Sequence, residues 1–199
     1  MKPFGHAGIE KFLCACRKNG ISPTPFALIV NIAEQTVSHF QKPSASLRLC
    51  VKNRNSAAVT DRRYRSLKKF RCSTSRFGIA QTEGSNGTPL GLHRIAEKIG
   101  GGWPVGTVFK SRKPVGYTWQ GMPDAKITTR ILWLEGLEPG FNRGGKVDSH
   151  GRYIYIHGTG DEMTLGHPAS CGCIHLAADD LVPLFDKLPT GTLVWISES

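Results

Sequence analysis

The sequence predicts a mostly β domain carrying one or two short helices, and three observations point there. First, 199 residues suffice for one domain with a real core, while 23 Gly and 12 Pro impose frequent turns that favour short strands. Second, β-favouring runs such as Ile127 to Leu134 recur between those turns. Third, helical periodicity is confined to one short segment near each end.

Taken in order, Ile9, Phe12, Leu13 and Cys16 fall at i, i+3, i+4 and i+7, one face of a helix that Pro23 and Pro25 end. Residues 1–24 therefore read as a helical extension and 25–199 as the folded domain. Ala27 to Ile32 is a compact apolar run, with Thr36 to Phe40 as its hairpin partner. Residues from about 43 to 71 lack periodicity and are basic: Lys52, Arg54, Arg62, Arg63, Arg65, Lys68, Lys69 and Arg71 stand against Asp61, which predicts a solvated insertion. Order resumes at Cys72 with a strand, followed by a turn-rich loop through Gly84 to Pro89. Strands are expected over Leu92 to Ile99, Thr107 to Phe109 and Ile127 to Leu134. A Gly-rich loop from Gly136 to Gly151 leads to another at Tyr153 to Ile156. Leu181, Leu184, Phe185 and Leu188 mark the second helix, capped by Asp179 or Asp180, with Pro183 in or near its first turn. Thr190-Gly191 turns the chain into a closing strand, Leu193 to Ile196.

Composition narrows the function classes. The formal net charge of +11 suits an anionic partner, but no recognition motif accompanies the basic run, so nucleic acid is not expected. No stretch reaches the roughly eighteen apolar residues of a transmembrane segment. Residues 1–20 mix apolar residues with Glu10, Lys11, Arg17 and Lys18, so no secretory h-region is expected there. Cysteines at 14, 16, 50, 72, 171 and 173 fit no small disulfide framework, and Cys-x-Cys differs from the usual zinc-finger spacing.

Reactive side chains concentrate in Ile156-His157-Gly158-Thr159 and in Ala169-Ser170-Cys171-Gly172-Cys173-Ile174-His175. A cysteine nucleophile needs a base within hydrogen-bond reach and backbone N–H groups aimed at the developing oxyanion. His157, at the end of an apolar strand, is the candidate base and Cys173 the candidate nucleophile. The backbone amides of Gly172 and Cys173 are the candidate oxyanion donors, because glycine allows the tight turn between them.

These motifs resemble the L,D-transpeptidases, which carry a His, a spacer, then Ser/Thr-His-Gly-Cys followed by an apolar residue and Arg or Asn. The upstream Cys72-Ser73-Thr74-Ser75, Gly84-Ser85 and Thr88-Pro89-Leu90-Gly91 are similar as well, as is the ending Gly191-Thr192-Leu193-Val194-Trp195-Ile196. The likeness covers about residues 25 to 197, apart from the basic insertion. It implies a β-sandwich-like catalytic domain needing no metal or cofactor. It also implies an acyl-enzyme on Cys173, peptidoglycan stem peptides as partners, and a periplasmic or cell-wall-facing location. Ser170, His175, Gly158 and Thr159 become the implied substrate-binding residues. Two departures stand out: Cys171 replaces the usual His, and His175 the common Arg that would clamp a carboxylate. The alternatives are a hydrolase of the same fold, and a non-catalytic zinc or redox module built on the Cys and His residues.

Overall fold

The computed structural model describes residues 6–43 and 64–199. The run of basic residues from 52 to 63, and Cys50, lie outside the described residues. Among the described residues ten strands form one sheet in the order β4-β10-β1-β2-β3-β9-β8-β7-β5-β6: β1 Phe26–Asn31, β2 Thr36–Gln41, β3 Arg65–Ser73, β4 Gly91–Ile99, β5 Thr107–Lys110, β6 Lys113–Tyr117, β7 Thr128–Gly136, β8 Tyr155–Gly158, β9 Ile174–Leu176 and β10 Leu193–Ser197. Because β4 pairs with β7 as well as with β10, the sheet closes on itself, and β5–β6 project from it as a hairpin. Helix α1 (His6–Lys18) packs outside and α2 (Ala178–Lys187) joins the core.

Side-chain alternation explains the layering. Leu28 and Val30 of β1 point into a core shared with Phe70, Leu132, Ile156, Ile174 and α2. Ala27 and Ile29, one residue out of phase, meet Phe12, Leu13 and Cys16 of α1. On β7, Leu132 and Leu134 face the central core, whereas Ile131 and Trp133 form a third cluster with Phe109 and Tyr155, against which Cys173 packs.

Several expectations about individual elements are corrected. Strand β3 begins at Arg65, inside the stretch expected to be a solvated insertion, because Arg65 to Arg71 pair with Gln41 to Thr36 and place only Phe70 in the core. Its other side chains are largely exposed, which hides the period-2 signal. Helix α1 is ended by Gly20, not by the prolines: Gly20 has φ +64 and Ile21 N–H donates to Cys16 O at 2.9 Å. Helix α2 starts after Ala177, which makes no side-chain cap, and Asp179 and Asp180 lie in its first turn. Its first N–H, from Ala178, is instead satisfied by Glu162 Oε1 at 2.7 Å. Strand β8 runs two residues later than expected, because Tyr153 takes φ +58 and turns the chain. Hairpin strand β6 and the short β9 carried no distinct pattern in the sequence.

Candidate active site

Strands β8 and β9 are parallel neighbours in the register Ile156↔Ile174 and His157↔His175. Segments whose paired residues lie eighteen apart in the chain thereby become adjacent, and Cys173 stands just before β9. A cavity of about 360 Å³ opens over them, lined by His157, Thr159, Ser170, Cys171, Cys173 and His175 among others. Of the residues expected to form the site, Gly158 and Gly172 do not line this cavity.

Each site residue has a local cause for its place. His157 is buried at 2% exposure, and its Nδ1 lies 2.9 Å from the Gly158 carbonyl. A carbonyl only accepts, so Nδ1 carries the proton and Nε2 keeps the free lone pair. Opposite His157 the β7–β8 ladder bulges between Thr128 and Ile131. Thr129 in that bulge has φ +68, rare for a β-branched residue, and Arg130 Nη1 holds its carbonyl at 2.6 Å and that of Trp103 at 2.9 Å. Gly158 packs into this bulge. A Cβ there would sit 2.8 Å from Thr128 O and 2.9 Å from its hydroxyl.

The loop leading into Cys173 is braced by Ser170, whose hydroxyl donates to Cys173 O at 2.6 Å and accepts from Gly172 N–H at 3.2 Å. Gly172 takes φ +119, which a side chain would resist. Ser170 in turn bridges to Ser75, and its carbonyl accepts Arg76 N–H at 3.1 Å. Thr159 is nearly buried, with its hydroxyl accepting from Asp161 N–H at 3.2 Å. Cys171 is exposed and Cys173 half-buried; both are free thiols. The Cys173 sulfur lies between the Tyr153 carbonyl, to which it donates at 3.4 Å, and Tyr155 N–H, which donates to it at 3.4 Å.

Burial dominates the electrostatics. It pushes the Cys173 thiol up to about 11, while Tyr155 N–H and the Arg152 charge pull the other way. It also drives His157 down to about 3, helped by His175, whose ring centroid is 4.7 Å away. His175 falls to about 4 for the same reason, so it is neutral at physiological pH, and its buried Nδ1 has no partner among the described residues. Cys173 and His157 are thus both neutral at physiological pH, and the sulfur's hydrogen-bond partners are Tyr153 and Tyr155, not His157.

Other residues belong to the framework. His93 is buried between Gly91 O at 3.0 Å and Ser149 Oγ at 2.9 Å, and His150 stacks on Trp133 at 4.0 Å. Cys16 and Cys72 are buried thiols raised by desolvation to about 11 and about 12. Among the described residues no group of three or more His, Cys, Asp or Glu is gathered as metal ligands would be. Reading the sequence alone missed Arg152, Tyr153 and Tyr155 around the sulfur, and Arg76 and Lys126 on the cavity wall. Tyr153 and Tyr155 were visible only as strand formers; nothing in their spacing foretold the turn at Tyr153.

Comparison with known proteins identifies the family of this fold. The family model for the L,D-transpeptidase catalytic domain, YkuD, matches residues 26–196. The probable L,D-transpeptidase ErfK/SrfK of Escherichia coli is 35% identical over 116 residues, covering 54% of this chain and 36% of that protein. The putative L,D-transpeptidase YqjB of Bacillus subtilis is 37% identical over 78 residues, 39% of each chain. This chain therefore spans well under half the length of these relatives. The solved structure of Bdellovibrio bacteriovorus Bd1075 shares the fold, with a TM-score of 0.53 at 12% identity over 88% of this chain and 48% of that one. No helix among the described residues is long and apolar enough to cross a membrane. With its matched segment running from β1 to β10, the chain belongs to the L,D-transpeptidase catalytic-domain family.

Proposed function

We propose that this chain is a peptidoglycan L,D-transpeptidase that works through an acyl-enzyme on Cys173, facing the cell wall. The observation that carries the reading is that Cys173 and His157 line one open cavity, with His157 oriented by the Gly158 carbonyl. Above its lowered value the imidazole is neutral and keeps on Nε2 the free lone pair that a base needs.

In the first half-reaction Cys173 Sγ attacks the carbonyl joining an L-centre to the terminal D-residue of a stem peptide. Its proton passes to His157 Nε2, and the Cys173 amide donates to the oxyanion. The Gly172 amide can add to this only by sharing its bond to Ser170 Oγ. The carbon–nitrogen bond then breaks, His157 returns the proton to the departing amine, and a thioester remains. In the second half an amine of another stem attacks the thioester. His157 takes the amine's proton and hands it to the leaving sulfur. Such proton transfer contributes about 10²–10⁴-fold in rate. Ser170 acts here by bracing the loop, and Thr159 and His175 as neutral walls for the donor stem.

Intact mass after mixing with a carbapenem, followed by assay with a tetrapeptide stem and an amine acceptor, tests this. Wild type and Cys171→Ala are expected to gain one adduct and form crosslinks, the second within about threefold of the first. Cys173→Ala is expected to do neither while keeping its thermal midpoint. Release of free D-amino acid with no crosslink would replace the transferase with a hydrolase of the same fold. Loss of the adduct in Cys171→Ala would show that the wrong thiol has been assigned.

A further inference from the structure

Arg152 lies outside the motif that defines the site, yet its guanidinium is committed to one target, the turn over residues 80–87. Its Nη1 donates to the carbonyls of Ala80 at 3.2 Å and Gln81 at 2.8 Å. Its Nη2 donates to the Gly87 carbonyl at 2.8 Å and Ser85 Oγ at 3.4 Å. All four acceptors are neutral, and among the described residues no carboxylate is within ion-pair distance of the guanidinium. The guanidinium is held in place by neutral partners, and the Glu83 carboxylate acts on it from beyond contact distance.

The clamped turn backs the nucleophile loop. The point a Gly172 Cβ would occupy is 3.3 Å from Gly87 O and 3.6 Å from Asn86 O. Ser75 Oγ ties the same Asn86 carbonyl at 2.5 Å, and Ser75 also bridges to Ser170 at the start of that loop. On its other side, Arg152 continues directly into Tyr153, whose carbonyl faces the sulfur. One side chain thus fixes the wall behind Gly172 and the chain in front of Cys173.

We infer that Arg152 is a positioning residue for Cys173: it locks the 80–87 turn behind the Gly172–Cys173 peptide and holds there a guanidinium, shared with Glu83 of that turn, whose charge favours the thiolate. The inference rests on the proposed function only in taking Cys173 as the attacking thiol. The neighbouring groups leave this task to Arg152. His157 and His175 are neutral, Cys171 opposes the thiolate, and burial raises Tyr155, whereas a guanidinium cannot release its proton.

Alkylation of Cys173 by iodoacetamide, followed by mass spectrometry of its peptide between pH 6 and 10, reads the thiolate fraction without any need for transpeptidation. Arg152→Gln is expected to slow that alkylation by about three- to tenfold at each pH, since the rate tracks the thiolate. Arg152→Lys keeps the charge and loses the four-point clamp. It is expected to alkylate within about twofold of wild type while kcat falls and KM holds. A folded Arg152→Gln that alkylates at the wild-type rate would overturn the inference. If that variant does not fold, slowed alkylation or an unchanged kcat in Arg152→Lys would overturn it instead. A wild type that forms no crosslinks, in an otherwise expected alkylation series, would remove the transpeptidase reading and leave the role of Arg152 standing.

Discussion

Single residues in this site are fixed by backbone partners more than by one another. Cys173 Sγ is held by Tyr153 O and Tyr155 N–H, His157 by Gly158 O, and Ser170 by both ends of the loop it braces. This matters because a misplacement of about 1 Å between nucleophile and base can cost roughly a hundredfold in rate. Gly158 is the sharpest test. A methyl at its Cβ position would lie 2.8 Å from Thr128 O and 3.1 Å from Thr129 Cβ, so β8 must move away from the β7 bulge. Gly158→Ala is expected to lower stability by about 1–3 kcal/mol and to cut acylation at least tenfold, because His157 shifts with its neighbour. Time courses of carbapenem adduct formation, alongside thermal melts, check both effects; a variant acylating at the wild-type rate would refute the steric argument. Cys173 and His157, which line one cavity, were legible as candidates in the sequence because such chemistry dictates residue type and spacing. Their holders were not, since carbonyls and N–H groups carry no residue signature.

At the level of elements, the parallel β8–β9 pair and the bulged β7 create the site. Helix α2 contributes packing through Leu181, Leu184 and Phe185. Pro183 sits in its second turn, exposed, where the missing N–H leaves one helical bond unmade. Pro183→Ala is therefore expected to stabilise the domain by about 1–3 kcal/mol and to raise its thermal midpoint, with acylation unchanged. A lower midpoint in calorimetry would show that the proline is matched to its surroundings. The strongly patterned strands, β1, β4, β7 and β10, were legible because both faces or one face are buried. Strands β3, β6 and β9 were not: β3 is largely exposed along most of its length, β6 is exposed, and β9 is only three residues long.

Across the whole molecule, four described histidines are held well below their ordinary value by burial: His39, His93 and His175 to about 4, and His157 to about 3. Their folded-state values lie below the unfolded 6.5, so the unfolded chain takes up more protons as acid is added. The stability they contribute is fully present above about pH 6.5 and is lost progressively as pH falls towards 4. Thermal midpoints are expected to be level from pH 7 to 8 and to drop steeply between pH 6 and 4. His93→Asn, removing the most enclosed of the four, is expected to flatten that drop even if its midpoint at pH 7.5 is lower. An unchanged slope would mean that carboxylates, not histidines, govern acid unfolding.

By itself the sequence determined the mostly β class, the two amphipathic helices and the family, and it singled out Cys173 and His157 as candidates. Those features reside in side-chain period and in residue types that few other chemistries require. Only the tertiary structure decided that β4 closes the sheet onto β7, that parallel registry sets His157 beside His175, and that Arg152 braces the loop from across the 80–87 turn. Those contacts join residues distant along the chain through backbone groups common to every residue, so no local pattern can encode them.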